Sequence, residues 1–140
     1  MIYEIVSKRK TRKEVIIKRP KDIFPCLKKY AGRQERFLVI TLDTENKIIG
    51  IRISTIGIVN KTIVHPREVF YHAIKDNASS LMIAHNHPSG NLEPSEEDEE
   101  VTEMLVRAGE IMGFPVLDHI IFSKKDYYSF RQNGRKLKYN

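Results

Sequence analysis

The apolar run Leu81-Met82-Ile83-Ala84 ends directly in His85-Asn86-His87-Pro88-Ser89-Gly90, and Asp98 follows the second histidine after ten intervening residues. A short continuous apolar run reads as a buried strand. In extended chain, residues two apart point to the same side, so His85 and His87 face one point from the strand's end. Pro88, Gly90 and Pro94 break the chain into a loop. Ser95 opens a helix and Asp98 falls in its first turn. A loop that folds back brings the Asp98 carboxylate to the two imidazoles.

Two imidazoles and one carboxylate suit a divalent metal. Three protein ligands leave one tetrahedral position open, as hydrolytic zinc sites require. The Asp oxygen beside two nitrogens favours zinc, with manganese and iron as alternatives. A plainer reading stands beside this one. Ser95-Glu96-Glu97-Asp98 resembles a capping box, which needs no metal, and helix first turns favour acids through the dipole. His87-Pro88-Ser89-Gly90 alone reads as an ordinary turn. Other chemistries lack their residues: there is no His-Glu-x-x-His helix, no Cys-x-x-Cys pair and no Gly-x-x-x-x-Gly-Lys-Ser/Thr loop. A zinc nucleobase deaminase needs Pro-Cys-x-x-Cys, which is absent.

A chain of 140 residues is expected to form one domain with a real core. No apolar stretch approaches the roughly 18 residues of a membrane span, and Met1-Ile2-Tyr3-Glu4 has no signal-peptide pattern. Cys26 is the only cysteine, which fits a reducing, cytoplasmic setting; it reads as a small buried apolar residue. The net charge of +6 is uneven: residues 1–36 carry 12 Lys+Arg against 4 Asp+Glu, and the remainder carries 12 against 14. A basic segment over residues 1–19 is compatible with nucleic-acid contact, although more often such a run is a solvated arm. Residues 20–140 form the expected folded domain.

Along the chain, residues 2–7 suit a first strand, and residues 20–31 a short helix with Pro20 at its start. Residues 37–42 and 48–56 form a hairpin around Asp43–Lys47. Ile58-Val59 and Thr62-Ile63-Val64 read as short extended pieces. A helix is expected near 66–77, a strand over 78–84, a long helix from Ser95 to Met112 closed by Gly113, and a final strand over 116–122. The result is an α/β fold, a single mixed sheet flanked by helices.

The chain resembles the RadC-type branch of the JAB/MPN metalloprotease-like domains, the group with the JAMM motif. Its signature is Glu, then His-x-His, ten residues, then Asp, with Ser three before the Asp. His85, His87, Ser95 and Asp98 match it position for position. His85-Asn86-His87-Pro88-Ser89-Gly90, His65-Pro66-Arg67-Glu68, Leu42-Asp43 and Asp118-His119-Ile120-Ile121 match the RadC wording in particular. The resemblance runs from about residue 20 onward. It implies the JAB/MPN (cytidine-deaminase-like) architecture and a bound Zn2+ ion on His85, His87 and Asp98. It also implies that Glu35, in Gln34-Glu35-Arg36-Phe37, is the catalytic glutamate; spacing alone does not link Glu35 to the histidines. The pattern departs at Asn86, where many members outside the RadC branch have Ser or Thr, and the helical amino-terminal region of longer RadC proteins is missing.

The function so implied is a zinc-dependent hydrolase that cleaves a peptide or isopeptide bond of a peptide or protein substrate. Glu35 acts as general base and acid, and Ser95 donates to the developing oxyanion. Asn86 and Ser89 are expected to orient the ligands. His65 helps begin a helix, and His72 reads as a surface residue. His119 beside Asp118 is either a supporting pair for the site or a structural hydrogen bond. The competing classes are a DNA-associated, repair-linked binding module that uses the basic segment, and an inactive fold with a structural metal.

Overall fold

The computed structural model describes residues 14–135 and Leu137. The expected strand over 2–7 and most of the basic segment 1–19 lie outside the described residues. Among the described residues five strands form one mixed sheet: β1 (Arg36–Leu42), β2 (Ile48–Ile56), β3 (Ser80–Asn86), β4 (Val116–Phe122) and β5 (Tyr127–Ser129). The order across the sheet is β2-β1-β3-β4-β5. Only the β3–β4 pair is parallel. Parallel neighbours need a crossover, and the longest helix supplies it. The helices are α1 (Pro20–Leu27, followed by a 3-10 turn over Lys28–Tyr30), α2 (Pro66–Lys75) and α3 (Glu96–Met112).

The strands' period of two sorts the core into two clusters. Phe37, Val39, Leu81, Ile83 and Ile121 face α2 and α3, where they meet Val69, Phe70, Val101 and Leu105. Leu38, Ile40, Leu42, Met82, Ala84, Ile120 and Phe122 face the other way, onto Ile23 and Leu27 of α1. Strands covered on both faces read as unbroken apolar runs. That explains why Phe37–Leu42 and Leu81–Ala84 show no alternation. Each such Leu, Ile or Phe contributes roughly 1.5–3 kcal/mol on burial.

Several expected boundaries move. β3 begins at Ser80 rather than Ala78, because the Ala78 N–H returns to the Ala73 carbonyl at 2.9 Å and closes α2. It then runs on through His85 and Asn86, which pair with Phe37 on one side and Phe122 on the other. The pieces at 58–59 and 62–64 are not strands. The Asn60 side chain accepts the N–H groups of Thr62 and Ile63, each at 3.0 Å, and this Asx turn overrides the β-branched residues around it. β5 was not foreseen; Tyr127 and Tyr128 are only half-buried, and the strand is held by three register pairs to β4. Cys26 is half-buried at the edge of the α1 cluster, not fully enclosed.

α3 ends as foreseen, with Gly113 at φ 81°, the left-handed cap glycine favours. Within it, Gly109 allows a close approach: a Cβ there would stand 2.3 Å from the Phe114 carbonyl oxygen. Among the described residues no helix is long and apolar enough to cross a membrane.

Candidate metal centre

The site forms where β3 ends and α3 begins. The His85 ring points to the α3 side of the sheet. His87 lies just beyond the strand, and the two ring centroids are 4.7 Å apart. Asp98 sits in the first turn of α3. The Asp98 N–H donates to Ser95 Oγ at 3.1 Å, and the Ser95 N–H donates to Asp98 Oδ2 at 2.8 Å. The capping box and the His/Asp cluster therefore coexist: the cap fixes the carboxylate so that it faces both rings. Asp98 Oδ1 is 3.1 Å from His85 Nε2, and Oδ2 is 3.1 Å from His87 Nε2. One ligand atom from each residue lies within 4.8 Å of the others.

The protons show what these atoms lack. His87 Nδ1 stands 2.6 Å from the Asn91 carbonyl, which only accepts, so Nδ1 carries a hydrogen; Nε2 donates to Asp98 Oδ2 at 3.1 Å when the ring is protonated and turns a lone pair to the carboxylate when it is neutral. His85 Nε2 is buried without a hydrogen-bond partner, because its approach to Oδ1 is not aligned for one. An unpartnered buried polar atom costs about 1–3 kcal/mol. A cation answers this need and the lone pair of neutral His87 alike, and two imidazole nitrogens with a carboxylate oxygen are a donor set that suits zinc.

The electrostatics agree. Burial opposes ionisation of Asp98, but its contacts with His85 and His87 outweigh that and hold the carboxyl far below the ordinary carboxylate range. The bond to Asp98 raises the His87 pKa above its ordinary value, against partial burial. The site thus attracts positive charge.

Glu35 reaches this cleft through sheet register. Phe37 of β1 pairs with His85 of β3 in an antiparallel ladder. The ladder ends at that pair, and Glu35 and His87 each lie two residues beyond it, at the same end of the sheet. The Glu35 carbonyl accepts the Gly57 N–H at 2.8 Å, which ties this segment to the end of β2. Glu35, His87, Ser95 and Asp98 line one cleft of about 600 Å3, together with Val59 and Asn60. Because Ser95 Oγ accepts from the Asp98 N–H, its own hydrogen can be donated into the cleft.

Asn86 and Ser89 do not touch the cluster. Asn86 points to the opposite face of β3, where it holds the segment that carries Glu35. Its Oδ1 accepts the Arg36 N–H at 2.7 Å, and its Nδ2 donates to the Gln34 carbonyl at 3.0 Å and the Gly32 carbonyl at 3.3 Å. Ser89 Oγ accepts the Asn91 N–H at 3.2 Å, so it acts on His87 only through Asn91.

Asp118 and His119 are joined by a structural hydrogen bond, one of the two expectations: the His119 N–H donates to Asp118 Oδ1 at 2.8 Å. As neighbours on β4 they face opposite sides of the sheet. Asp118 accepts from Ser129 Oγ and from the Arg131 N–H, and burial raises its pKa. His119 instead lies against His85, with Nε2 3.1 Å from His85 Nδ1. His72 is half-buried rather than at the surface, and burial lowers its pKa. Thr102 was missed from the sequence. It lies one helical turn beyond Asp98, where its hydroxyl donates to the Asp98 carbonyl at 2.7 Å and contacts His119 Nδ1. A threonine four residues after an acid in a helix is too common to single out.

An α/β domain with a His-His-Asp cluster at the junction of a strand and a crossover helix is the class that fold and site define. Residues 17–135 match the RadC-like JAB domain, and the chain belongs to that family. A UPF0758 protein of Picosynechococcus is 50% identical over 99 residues, covering 71% of this chain and 41% of the relative. A UPF0758 protein of Thermotoga maritima is 48% identical over 96 residues, covering 69% and 43%. One from Methanosarcina barkeri is 42% identical over 117 residues, covering 82% and 51%. The chain thus spans about half the length of these relatives, or less.

Proposed function

We propose that this chain is a metal-dependent hydrolase of the JAMM type that cleaves a peptide or isopeptide bond, with Zn2+ held by His85, His87 and Asp98. The observation that carries this reading is the convergence of one ligand atom each from His85, His87 and Asp98 within 4.8 Å, with His85 Nε2 buried and lacking an aligned hydrogen bond. When bound, a divalent cation supplies Lewis-acid activation of water at neutral pH. The chain's own residues supply the remaining chemistry. Glu35 takes a proton from the attacking water and returns it to the leaving nitrogen. The Ser95 hydroxyl donates to the carbonyl oxygen as negative charge builds there; a donor of this kind is worth roughly 3 kcal/mol. Asn86 keeps the Glu35 segment in place. A cytoplasmic setting and a peptide or protein substrate belong to the same reading.

The test compares bound metal and hydrolysis of a peptide library for wild type and Glu35→Gln. Retained metal with lost hydrolysis supports the assignment. Full activity in the variant removes Glu35 from the mechanism.

One observation favours a second reading, association with an anionic polymer such as DNA. Arg33, Lys124 and Lys125 line a neighbouring cleft that shares His87, Pro88, Ser89 and Gly90 with the site. DNA binding through phosphate contacts falls steeply as salt rises, and an affinity that does not change with salt would remove this reading.

A further inference from the structure

We propose that His119 and Thr102 form a proton-ordered relay that fixes the tautomer of His85, so that Nε2 presents its lone pair to the His85–His87–Asp98 cluster. The inference rests on the metal-site reading for its purpose, but its geometry stands independently of any ion. His119 is fully buried between two aromatic rings. It stacks on Phe130 at 4.6 Å with an interplanar angle of 16°, and meets Phe37 edge-on at 6.1 Å. Its two ring nitrogens have one partner each, Thr102 Oγ1 at Nδ1 and His85 Nδ1 at Nε2.

The direction of every proton follows from one end of the chain. The Asp98 carbonyl can only accept, so the Thr102 hydroxyl spends its single hydrogen there. Thr102 Oγ1 must then accept from His119, and Nδ1 of His119 carries the ring hydrogen. His119 is enclosed by Phe37 and Phe130, and neither ring nitrogen faces a carboxylate, so the ring carries a single hydrogen and its Nε2 accepts. His85 therefore donates from Nδ1, and its Nε2 is the nitrogen left without a hydrogen. A ligating imidazole commonly has its second nitrogen fixed by such a donor–acceptor contact. Here the relay starts from the backbone of α3 at Asp98, another member of the same cluster. It thus couples the orientation of one candidate ligand to the seating of the helix that carries another.

His119 is on this account a positioning residue. The test uses histidine side-chain 15N correlation spectra of the metal-free protein at mildly alkaline pH, together with zinc affinity by chelator competition. Wild type, His119→Ala, His119→Gln and Thr102→Val are compared. In wild type, His85 is expected to be protonated at Nδ1 alone. In His119→Ala it should become a mixture of tautomers, with zinc affinity roughly 10- to 100-fold weaker. His119→Gln, whose side-chain oxygen can accept from His85, should recover most of both. His119→Ala with an unchanged His85 tautomer and unchanged affinity overturns the proposal. Should His119→Ala fail to fold, the near-isosteric Thr102→Val decides. It frees His119 to turn its hydrogen toward His85, so His85 should shift to the Nε2-protonated form; an unshifted spectrum overturns the proposal. Wild type that shows the ordered tautomer but takes up no zinc would sink the metal reading and leave the relay standing. Wild type that binds zinc with all variants unaltered would sink the relay alone.

Discussion

The side chain of Asn86 accepts the backbone N–H of Arg36 at 2.7 Å across fifty residues of sequence. This bond and the two amide contacts to the carbonyls of Gly32 and Gln34 join the strand carrying the histidines to the turn carrying Glu35. Asn86→Ala should leave zinc affinity within about threefold of wild type, because the cluster lies on the other face of β3. Hydrolysis should fall roughly 100-fold, since displacements of about 1 Å in a catalytic group cost that much. The part-buried Arg36 N–H left without its acceptor should also lower stability by about 1–3 kcal/mol. Metal titration and steady-state kinetics on the same preparation separate the two effects.

Ser95 serves the helix and the cleft together. Ser95→Ala removes the acceptor for the Asp98 N–H, which should cost about 0.5–2 kcal/mol of stability. If its hydroxyl also stabilises the oxyanion, kcat should fall by roughly 10²–10³-fold. A stability loss with kcat unchanged would leave only the cap.

The pH dependence of metal binding follows from His87. Its pKa is raised above 6.5 by the bond to Asp98, so below that raised value a cation must displace a proton from Nε2. Zinc affinity should fall as pH drops through this window, and about one proton should be released per ion bound there. The metal-free protein behaves in the opposite sense. A raised folded-state pKa gives stability that is complete below the unfolded value of about 6.5 and is lost as pH rises through the folded value. The metal-free protein should therefore lose thermal stability toward alkaline pH while the zinc-loaded protein gains it. Calorimetry in buffers of differing ionisation enthalpy counts the protons directly.

Away from the site, the Arg52–Asp76 pair is nearly enclosed, with side-chain exposures of 8% and 4%. Asp76 also accepts from Thr41 Oγ1 at 2.7 Å. Gly50 makes room for it: a Cβ there would stand 2.0 Å from Arg52 Nη1. Asp76→Ala should cost about 3–5 kcal/mol, because it leaves a buried guanidinium without its carboxylate. Thermal unfolding measures this, and zinc affinity should not change, since the pair lies outside the cluster.

Much of this was legible in the sequence. The apolar run into His85, the loop residues and the Ser95–Asp98 spacing placed the cluster, because strand and helix periodicities act locally. Glu35 was reachable only through family resemblance, because its link to the site is the register between β1 and β3, which no local pattern encodes. For Asp118 and His119 the adjacency left open a supporting pair or a structural hydrogen bond; the His119 N–H does donate to Asp118 Oδ1, while strand alternation sends the two side chains to opposite faces of the sheet. The turn at Asn60 was hidden because its side chain, not the β-branched residues beside it, decides the backbone.

The most direct measurement is the metal content of purified, never-chelated protein, with zinc titration of wild type and Asp98→Ala. The account predicts about one transition-metal ion per wild-type chain, and at least 100-fold weaker zinc binding once the carboxylate that faces both histidines is removed. No metal in the wild type, and no uptake when zinc is supplied, would contradict it.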